Sequence, residues 1–139
     1  MSAATQATTG RDLVATVQRF YDLEQRKQLD EWAALWADDA EVRFPLTTEP
    51  EKHEIHGKEA LVAATAQKFI DRERVELGVR VEPMADGRRV VAHLDATITF
   101  AAGPVWHVPL LIILTFNEEG LITTMEEYLN EASLPAAGS

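Results

Sequence analysis

The sequence contains no cysteine among its 139 residues. This absence excludes disulfide bonds, a thiolate nucleophile and any cysteine-based metal site. No apolar run approaches the ~20 residues that a membrane-spanning helix needs. The first ten residues also lack the basic start and apolar core of a signal peptide. We therefore expect a cytoplasmic protein with no membrane association.

Positive charge is scarce as well. The chain has 13 Lys and Arg against 23 Asp and Glu, a net charge of −10, which would repel phosphate backbones. It has no glycine-rich phosphate loop and no serine in a Gly-x-Ser-x-Gly context. His53 and His56 approach a metal-ligand spacing, but a lone pair of histidines in a charged loop is weak support for a metal. The sequence predicts no nucleic-acid partner, no metal and no cofactor.

What the sequence does contain is a globular composition, with 46% hydrophobic and 26% charged residues. At this length it can bury a core of its own, which indicates one domain. We expect a disordered leader over residues 1–10, a single domain over 11–134 and a tail over 135–139. Both ends are short and polar or rich in small residues.

Helical spacing dominates the first half of the chain and alternation the second. Apolar residues at helical spacing predict a helix over residues 11–27, and Asp30 can cap a short helix that contains Trp32, Leu35 and Trp36. The later elements are expected as a short strand Val42–Phe44, a helix Lys58–Asp71, and strands Val75–Pro83, Arg88–Ala101, Pro104–Phe116 and Leu121–Asn130. This order predicts an α+β fold in which three N-terminal helices pack on a curved antiparallel sheet.

The last three strands can be registered from their loop lengths. A two-residue loop at 102–103 would place Asp95 opposite Leu110, and a four-residue loop at 117–120 would place Glu127 opposite Leu110 as well. Side chains alternate across a strand, so one face is expected to carry His93, Asp95, Thr97, Leu110, Ile112, Met125 and Glu127. Ionisable groups on an apolar face are costly unless they are used or paired, which makes this set a candidate site. The alternatives left open are a solvated outer face and a buried cluster satisfied by its own hydrogen bonds.

Several segments together resemble a known superfamily. They are Val17–Tyr21, Leu35–Val42, His56–Leu61, Gly120–Ile122 and Glu127–Asn130. In this order of elements the chain is similar to the nuclear-transport-factor-2-like superfamily, also called the cystatin-like or SnoaL-like α+β cone. That superfamily hosts isomerases, cyclases, dehydratases, epoxide hydrolases and non-catalytic binders, so the fold alone does not name the chemistry. The resemblance implies a homodimer that packs through the outer face of the sheet.

The resemblance also bears on individual residues. The positions that ketosteroid isomerase uses for its base, tyrosine and aspartic acid correspond here to Phe44, Phe20 and Ile112, so that mechanism is not supported. Members similar to limonene-epoxide hydrolase carry Arg-x-Asp and a final-strand aspartate, to which His93, Asp95 and Glu127 correspond, with histidine in place of arginine. Members similar to the phenazine-biosynthesis isomerase have a glutamate at the position of Glu127.

From both lines of reasoning we predict a cofactor-free acid/base enzyme acting on a hydrophobic, oxygen-bearing small molecule. Glu127 would move the proton, assisted by Asp95 and His93. The reaction would be an isomerisation, cyclisation or dehydration, or hydrolysis of an epoxide. The residues expected to contact the substrate are Tyr21, Trp36, Arg43, Phe44, Thr97, Trp106, Leu110, Ile112, Met125 and Leu129. The alternative is a non-catalytic small-molecule-binding or dimerising module of the same fold.

Overall fold

The computed structural model describes residues 10–47 and 54–129. The expected tail 135–139 and the expected leader, except for Gly10, lie outside these ranges, as do His53 and Asn130. Three helices and six strands form within them. The helices are α1 (Gly10–Gln25), α2 (Leu29–Ala33) and α3 (Lys58–Asp71). The strands are β1 (Trp36–Arg43), β2 (Ile55–His56), β3 (Arg72–Pro83), β4 (Arg89–Phe100), β5 (Val105–Phe116) and β6 (Ile122–Tyr128).

The strands form one curved, unclosed sheet in the order β2-β1-β6-β5-β4-β3. Neighbouring strands are antiparallel except β1 and β6, which are parallel. The helices pack on one side of this sheet, which we call the inner face; the other side is the outer face. The architecture confirms the predicted α+β fold with helices on a curved sheet.

The inner face and α1 form the main core. Leu13, Val17 and Phe20 recur at helical spacing along α1 and are at most 2% exposed. They meet the even-numbered residues of β4 and β5, such as Ala92 and Leu114. Burying an aliphatic or aromatic side chain of this size contributes roughly 1.5–3 kcal/mol, so this contact fixes α1 against the sheet.

The structure corrects the predicted elements around the second helix. α2 begins at Leu29 and ends at Ala33, so Asp30 lies in its first turn and is not its cap. Trp36 opens β1 instead of closing the helix, since the carbonyl of Leu35 accepts a hydrogen bond from the amide of Ile122 at 2.9 Å. Pairing with β6 therefore extends the first strand six residues earlier than Val42.

The structure also corrects the register of β4 on β5. The amide of Phe100 donates to the carbonyl of Pro104 at 2.9 Å, which closes a three-residue loop in which Gly103 has φ +116°. Asp95 consequently pairs with Pro109, not with Leu110. A one-residue slip moves every side chain to the other face. The predicted common face of His93, Asp95 and Thr97 with Glu127 is therefore wrong.

The register of β5 on β6 differs by two residues, which preserves the face. The amide of Asn117 donates to the carbonyl of Leu121, and a bulge follows where the pairing passes from Phe116 to Thr115. Each shifts the pairing by one residue, so Glu127 lies opposite Ile112 and remains on the inner face.

Candidate functional site

The carboxylate of Glu127 lies on the inner face of β6 among apolar side chains. Its partner across the sheet, Ile112, is 2% exposed, and Met125 and Leu110 flank the pair on the same face. Glu127 itself is partly exposed. An ionisable group in apolar surroundings with solvent on one side is suited to exchange a proton with a bound molecule.

Two polar residues of α1 face this carboxylate. Tyr21 and Glu24 are three positions apart on the helix and therefore lie on one side of it. The charge of Glu127 acts on both of them. We call Tyr21, Glu24, Ile112 and Glu127 the inner site.

Burial dominates the electrostatics of Glu24. It raises the pKa of Glu24 from its ordinary value of 4.5 to about 7, and the charge of Glu127 adds to this shift. The positive charges of Lys68 on α3 and Arg72 on β3 act in the opposite direction. Part of the Glu24 side chain nevertheless stays exposed. With a pKa of about 7, this carboxyl is present in both protonation states near neutral pH.

Tyr21 is the buried polar residue of the inner site. Its side chain is 2% exposed, and its hydroxyl has no hydrogen-bond partner within residues 10–47 and 54–129. Burial raises the pKa of Tyr21, and the charges of Glu24 and Glu127 raise it further. The hydroxyl therefore stays protonated and is enclosed in this conformation, and the contact of Tyr21 with a substrate stays a prediction.

Two side chains hold the end of α1 against β3. The amide of Leu77 donates to Gln25 Oε1 at 3.0 Å, and Lys27 Nζ donates to the carbonyl oxygens of Arg72 and Glu73. Both residues directly follow Glu24, at one and three positions further along the chain. They fix the turn that carries it, so the position of Glu24 relative to the sheet is set by the backbone of β3.

The structure places the other two predicted acid/base residues away from Glu127. His93 and Asp95 lie on the outer face, where His93 Nε2 is 3.7 Å from Glu82 Oε1 and Asp95 is exposed. Thr97 is on the same face, with its hydroxyl 3.0 Å from His107 Nδ1. The one-residue register slip thus divides the predicted site between the two faces.

The expected substrate-contacting residues divide in the same way. Arg43 lies on the outer face in an ion pair with Glu41, so its predicted substrate contact is corrected to a surface salt bridge. Trp36 is 1% exposed, inside the aromatic core with Phe20, and its contact with a substrate stays a prediction. The remaining six belong to the inner face and its rim, and we retain them as candidates: Phe44, Trp106, Leu110, Ile112, Met125 and Leu129.

Glu24 is the residue that sequence reasoning missed. The signal was present, because Val17, Phe20 and Glu24 follow the spacing of the buried stripe of α1. A glutamate on an apolar helix face is as informative as one on an apolar strand face.

Among the described residues, no group of three or more His, Asp or Glu side chains could hold a metal ion. Within the same ranges, no helix is long and apolar enough to cross a membrane.

Comparison with solved structures shows the same fold in several bacterial proteins. A Bacillus subtilis protein provisionally named an isomerase has a TM-score of 0.74 and 19% identity, covering 89% of this chain and 91% of its own. A Xanthomonas campestris protein provisionally named a polyketide cyclase has a TM-score of 0.73 and 21% identity, covering 88% and 93%. A Mycobacterium tuberculosis protein, solved in complex with estradiol-17beta-hemisuccinate, has a TM-score of 0.76 and 23% identity, covering 90% and 97%. At these identities the likeness concerns the fold.

A family model agrees with the structural neighbours. Among curated proteins none matches this sequence. The model of the SnoaL-like domain, however, matches residues 17–125, which is most of the chain. The fold is thus one that small-molecule isomerases and cyclases use. The chain belongs to the SnoaL-like domain family, within the nuclear-transport-factor-2-like superfamily.

Proposed function

We propose that this protein is an acid/base enzyme that binds a hydrophobic, oxygen-bearing small molecule at the inner site and uses Glu127 to move a proton. The reaction class is isomerisation, cyclisation or dehydration. One observation carries the proposal: Glu127 is partly exposed on the apolar inner face, opposite Ile112, and close enough to act on Tyr21 and Glu24.

The chemistry follows from this position. The Glu127 carboxylate can remove a proton from a carbon next to a carbonyl group and return it to another carbon of the same molecule. Surrounding apolar side chains exclude water from the reacting atoms, which strengthens the electrostatic interactions among them. The cycle leaves the carboxylate unchanged and consumes no further reactant.

Epoxide hydrolysis is less well supported by the geometry. The prediction of that activity used Asp95 and Glu127 on two sides of an attacking water. Asp95 is on the outer face, so this pair cannot act on one molecule bound at the inner face.

The surroundings of Glu127 favour a hydrophobic ligand. Leu110, Met125 and Leu129 supply partly exposed apolar surface near it. The structural neighbour from Mycobacterium tuberculosis was solved in complex with estradiol-17beta-hemisuccinate, whose steroid body is apolar, which is consistent with a hydrophobic ligand. We infer a neutral, largely apolar substrate with a carbonyl or hydroxyl oxygen.

The test measures proton exchange. The probe is 2-tetralone, a hydrophobic ketone with acidic protons beside its carbonyl, and the readout is deuterium incorporation from D2O followed by NMR. Glu127→Gln keeps the size of the side chain and removes its ability to accept a proton, so we expect the rate to fall at least about 100-fold. Glu126→Gln is the matched control, because Glu126 is the next residue but lies on the outer face. Equal rates for wild type and Glu127→Gln would refute the assignment.

The alternative function, a binding module without chemistry, retains one supporting observation. Much of the inner face is filled, with Ile112 and Leu114 at most 2% exposed. A binding module would take up hydrophobic molecules without exchanging their protons, so binding of the probe with no exchange above buffer would favour it. An ion pair between Arg43 and Glu127, which would make Glu127 a structural residue, is not formed, since Arg43 pairs with Glu41 on the outer face.

We also propose a homodimer that forms through the outer face. Val105 is 55% exposed there, beside the exposed Pro109 and the partly exposed Leu111 and Ile113. Such a row of apolar residues is typical of a surface that another protein covers. Sedimentation of the wild-type chain at micromolar concentration should give twice the monomer mass of 15.5 kDa.

A further inference from the structure

We propose that Glu24 is a second catalytic residue of the inner site, which donates a proton to the oxygen of the ligand while Glu127 exchanges a proton at carbon. This inference rests on the proposed function and adds the proton donor that the reaction needs. Nothing in the sequence resemblance assigned a role to this position.

The placement of Glu24 is the first support. It lies one helical turn beyond Phe20 on the side of α1 that packs on the sheet, and its charge and that of Glu127 influence each other. The two carboxyls come from different elements, α1 and β6, so a molecule bound between helix and sheet would have one on each side. Part of each side chain is exposed, whereas the neighbouring Tyr21 hydroxyl is not.

The fixed backbone of the carrying turn is the second support. Gln25 and Lys27, which follow Glu24 by one and three residues, hydrogen-bond to the backbone of β3. The carboxyl group of Glu24 forms no hydrogen bond or ion pair with any of the described residues, whereas Glu41, Glu76 and Glu82 on the outer face each form an ion pair with an arginine. A carboxyl on a rigid turn, enclosed yet without a hydrogen-bond partner, is arranged to meet a ligand.

The charges around Glu24 help to set the pH range in which its carboxyl is protonated. From its own helix it faces Tyr21, from β6 Glu127, from α3 Lys68 and from β3 Arg72. Burial and Glu127 favour the protonated form, while Lys68 and Arg72 favour the charged one, and the balance raises the pKa of Glu24 to about 7. Near neutral pH the carboxyl can therefore both give and recover a proton.

The reaction balances with these two groups alone. The Glu127 carboxylate takes a proton from the carbon beside the carbonyl, so a C–H bond breaks and an O–H bond forms on Glu127. The electron pair moves to the carbonyl oxygen, which takes the proton of Glu24 and gives an enol. In the second half Glu127 returns its proton to another carbon and the enol hydroxyl returns its own to Glu24. The product is an isomer, and both carboxyls recover their initial states.

The first test needs no ligand. The full chain is labelled with ¹³C at the glutamate carboxyls, and the titration of Glu24 is followed by NMR in wild type, Glu127→Gln and Lys68→Gln. We expect a midpoint near 7 in wild type, a lower one in Glu127→Gln and a higher one in Lys68→Gln, because a like charge and an opposite charge are removed in turn. A wild-type midpoint near the ~4.3 of a free glutamate would overturn the proposal.

The second test uses the exchange of 2-tetralone. We expect Glu24→Gln to slow exchange at least about 100-fold. The wild-type rate should decline above pH 7, where Glu24 loses its proton, and the variant should lack this decline. Glu73→Gln, at an exposed position next to Arg72, serves as the control.

The two proposals fail separately. If Glu24→Gln exchanges the ketone at the wild-type rate while Glu127→Gln does not, the role of Glu24 is overturned and that of Glu127 stands. If Glu127→Gln keeps the wild-type rate while Glu24→Gln loses it, the base is wrongly assigned and the role of Glu24 stands. A wild type that exchanges no faster than buffer contradicts the proposed function, and the NMR titration still decides whether Glu24 holds a proton.

Discussion

The two faces of the sheet treat the same residue type in opposite ways. On the outer face Glu41 is held by Arg43 and His56, and its hydrogen bond to Arg43 is the main cause that lowers its pKa. On the inner side Glu24 is enclosed, and burial raises its pKa to about 7. Paired carboxylates in water are structural and inert, whereas an enclosed one without a hydrogen-bond partner can carry a proton.

Pairing extends along the outer face. Arg74 and Glu76 are 3.3 Å apart, and Arg80 and Glu82 are 3.4 Å apart, with all four side chains more than half exposed. Each such pair contributes little to stability. Their arrangement shows that these carboxylates are neutralised locally by a neighbouring arginine on the same strand.

The largest expected effect is on the free energy of unfolding, when a side chain is shortened on one face of β5 or on the other. Ile112 and Ile113 are neighbours on β5, but Ile112 is buried on the inner face and Ile113 is half-buried on the outer face. We expect Ile112→Ala to lower the free energy of unfolding by about 2–5 kcal/mol because it leaves a cavity. Ile113→Ala in the monomer should cost about 1 kcal/mol or less. Urea denaturation of both variants measures the difference.

The same pair tests the proposed dimer. If a second copy covers the outer face, the cost of Ile113→Ala should grow with protein concentration, because association stabilises the folded state by mass action. Equal and concentration-independent costs for the two variants would contradict both the inner–outer distinction and the dimer.

A second prediction concerns how stability depends on pH. The folded-state pKa of Glu24 is raised from 4.5 to about 7, so between these values the folded chain binds more protons than the unfolded one. Stability contributed by the protonated group is therefore complete below pH 4.5 and is lost as the pH rises to about 7, by up to about 3 kcal/mol. Glu24→Gln should remove this loss and be more stable than wild type at pH 8.

Glu41→Gln gives the opposite sign and serves as the control. The folded-state pKa of Glu41 is lowered, so its contribution is present above its ordinary value of 4.5 and is lost as the pH falls further. The variant should be slightly less stable than wild type at pH 7 and equal to it in acid. Urea titrations at intervals from pH 3 to pH 8 record both effects. A Glu24→Gln profile parallel to wild type would show that Glu24 is not enclosed.

Helix and strand positions were largely predictable from the sequence. The third helix has the predicted bounds, Lys58–Asp71, and β3, β4 and β5 lie within a few residues of their predictions. Periodicity over 12 or more residues carries this information, since burial on one face repeats with the geometry of the element. The short α2 and the start of β1 were mispredicted because pairing with β6, a distant segment, decides them.

Register was not predictable to one residue, and the site depends on it. A three-residue turn and a two-residue turn at Ala101–Gly103 have almost the same sequence pattern. Only the two-residue turn would place Asp95 on the same face as Glu127. Glu127 was placed on the correct face only because its loop and its bulge each shift the pairing by one residue, and two such shifts restore the face. Glu24 was not predicted, because the charged residues of an amphipathic helix ordinarily lie on its solvent-facing side.

The smallest expected effect concerns the turn at Ala101–Gly103, which sets the register of β4 on β5. Gly103 has φ +116°, which side chains other than hydrogen rarely allow, so Gly103→Ala should cost about 1–2 kcal/mol although no atom lies within 4 Å of the new methyl group.

Gly78 is the control: it lies in β3 beside Asp95, whose Cβ would be 3.6 Å from the added methyl, an ordinary contact. Alanine is favoured over glycine in a strand interior, so Gly78→Ala should be neutral or stabilising by up to about 1 kcal/mol. Urea midpoints that shift in opposite directions would support the positive φ of Gly103, because an added side chain is strained there and not at Gly78. A Gly103→Ala variant as stable as wild type would reopen the register of β4 on β5, and with it the assignment of Asp95 to the outer face.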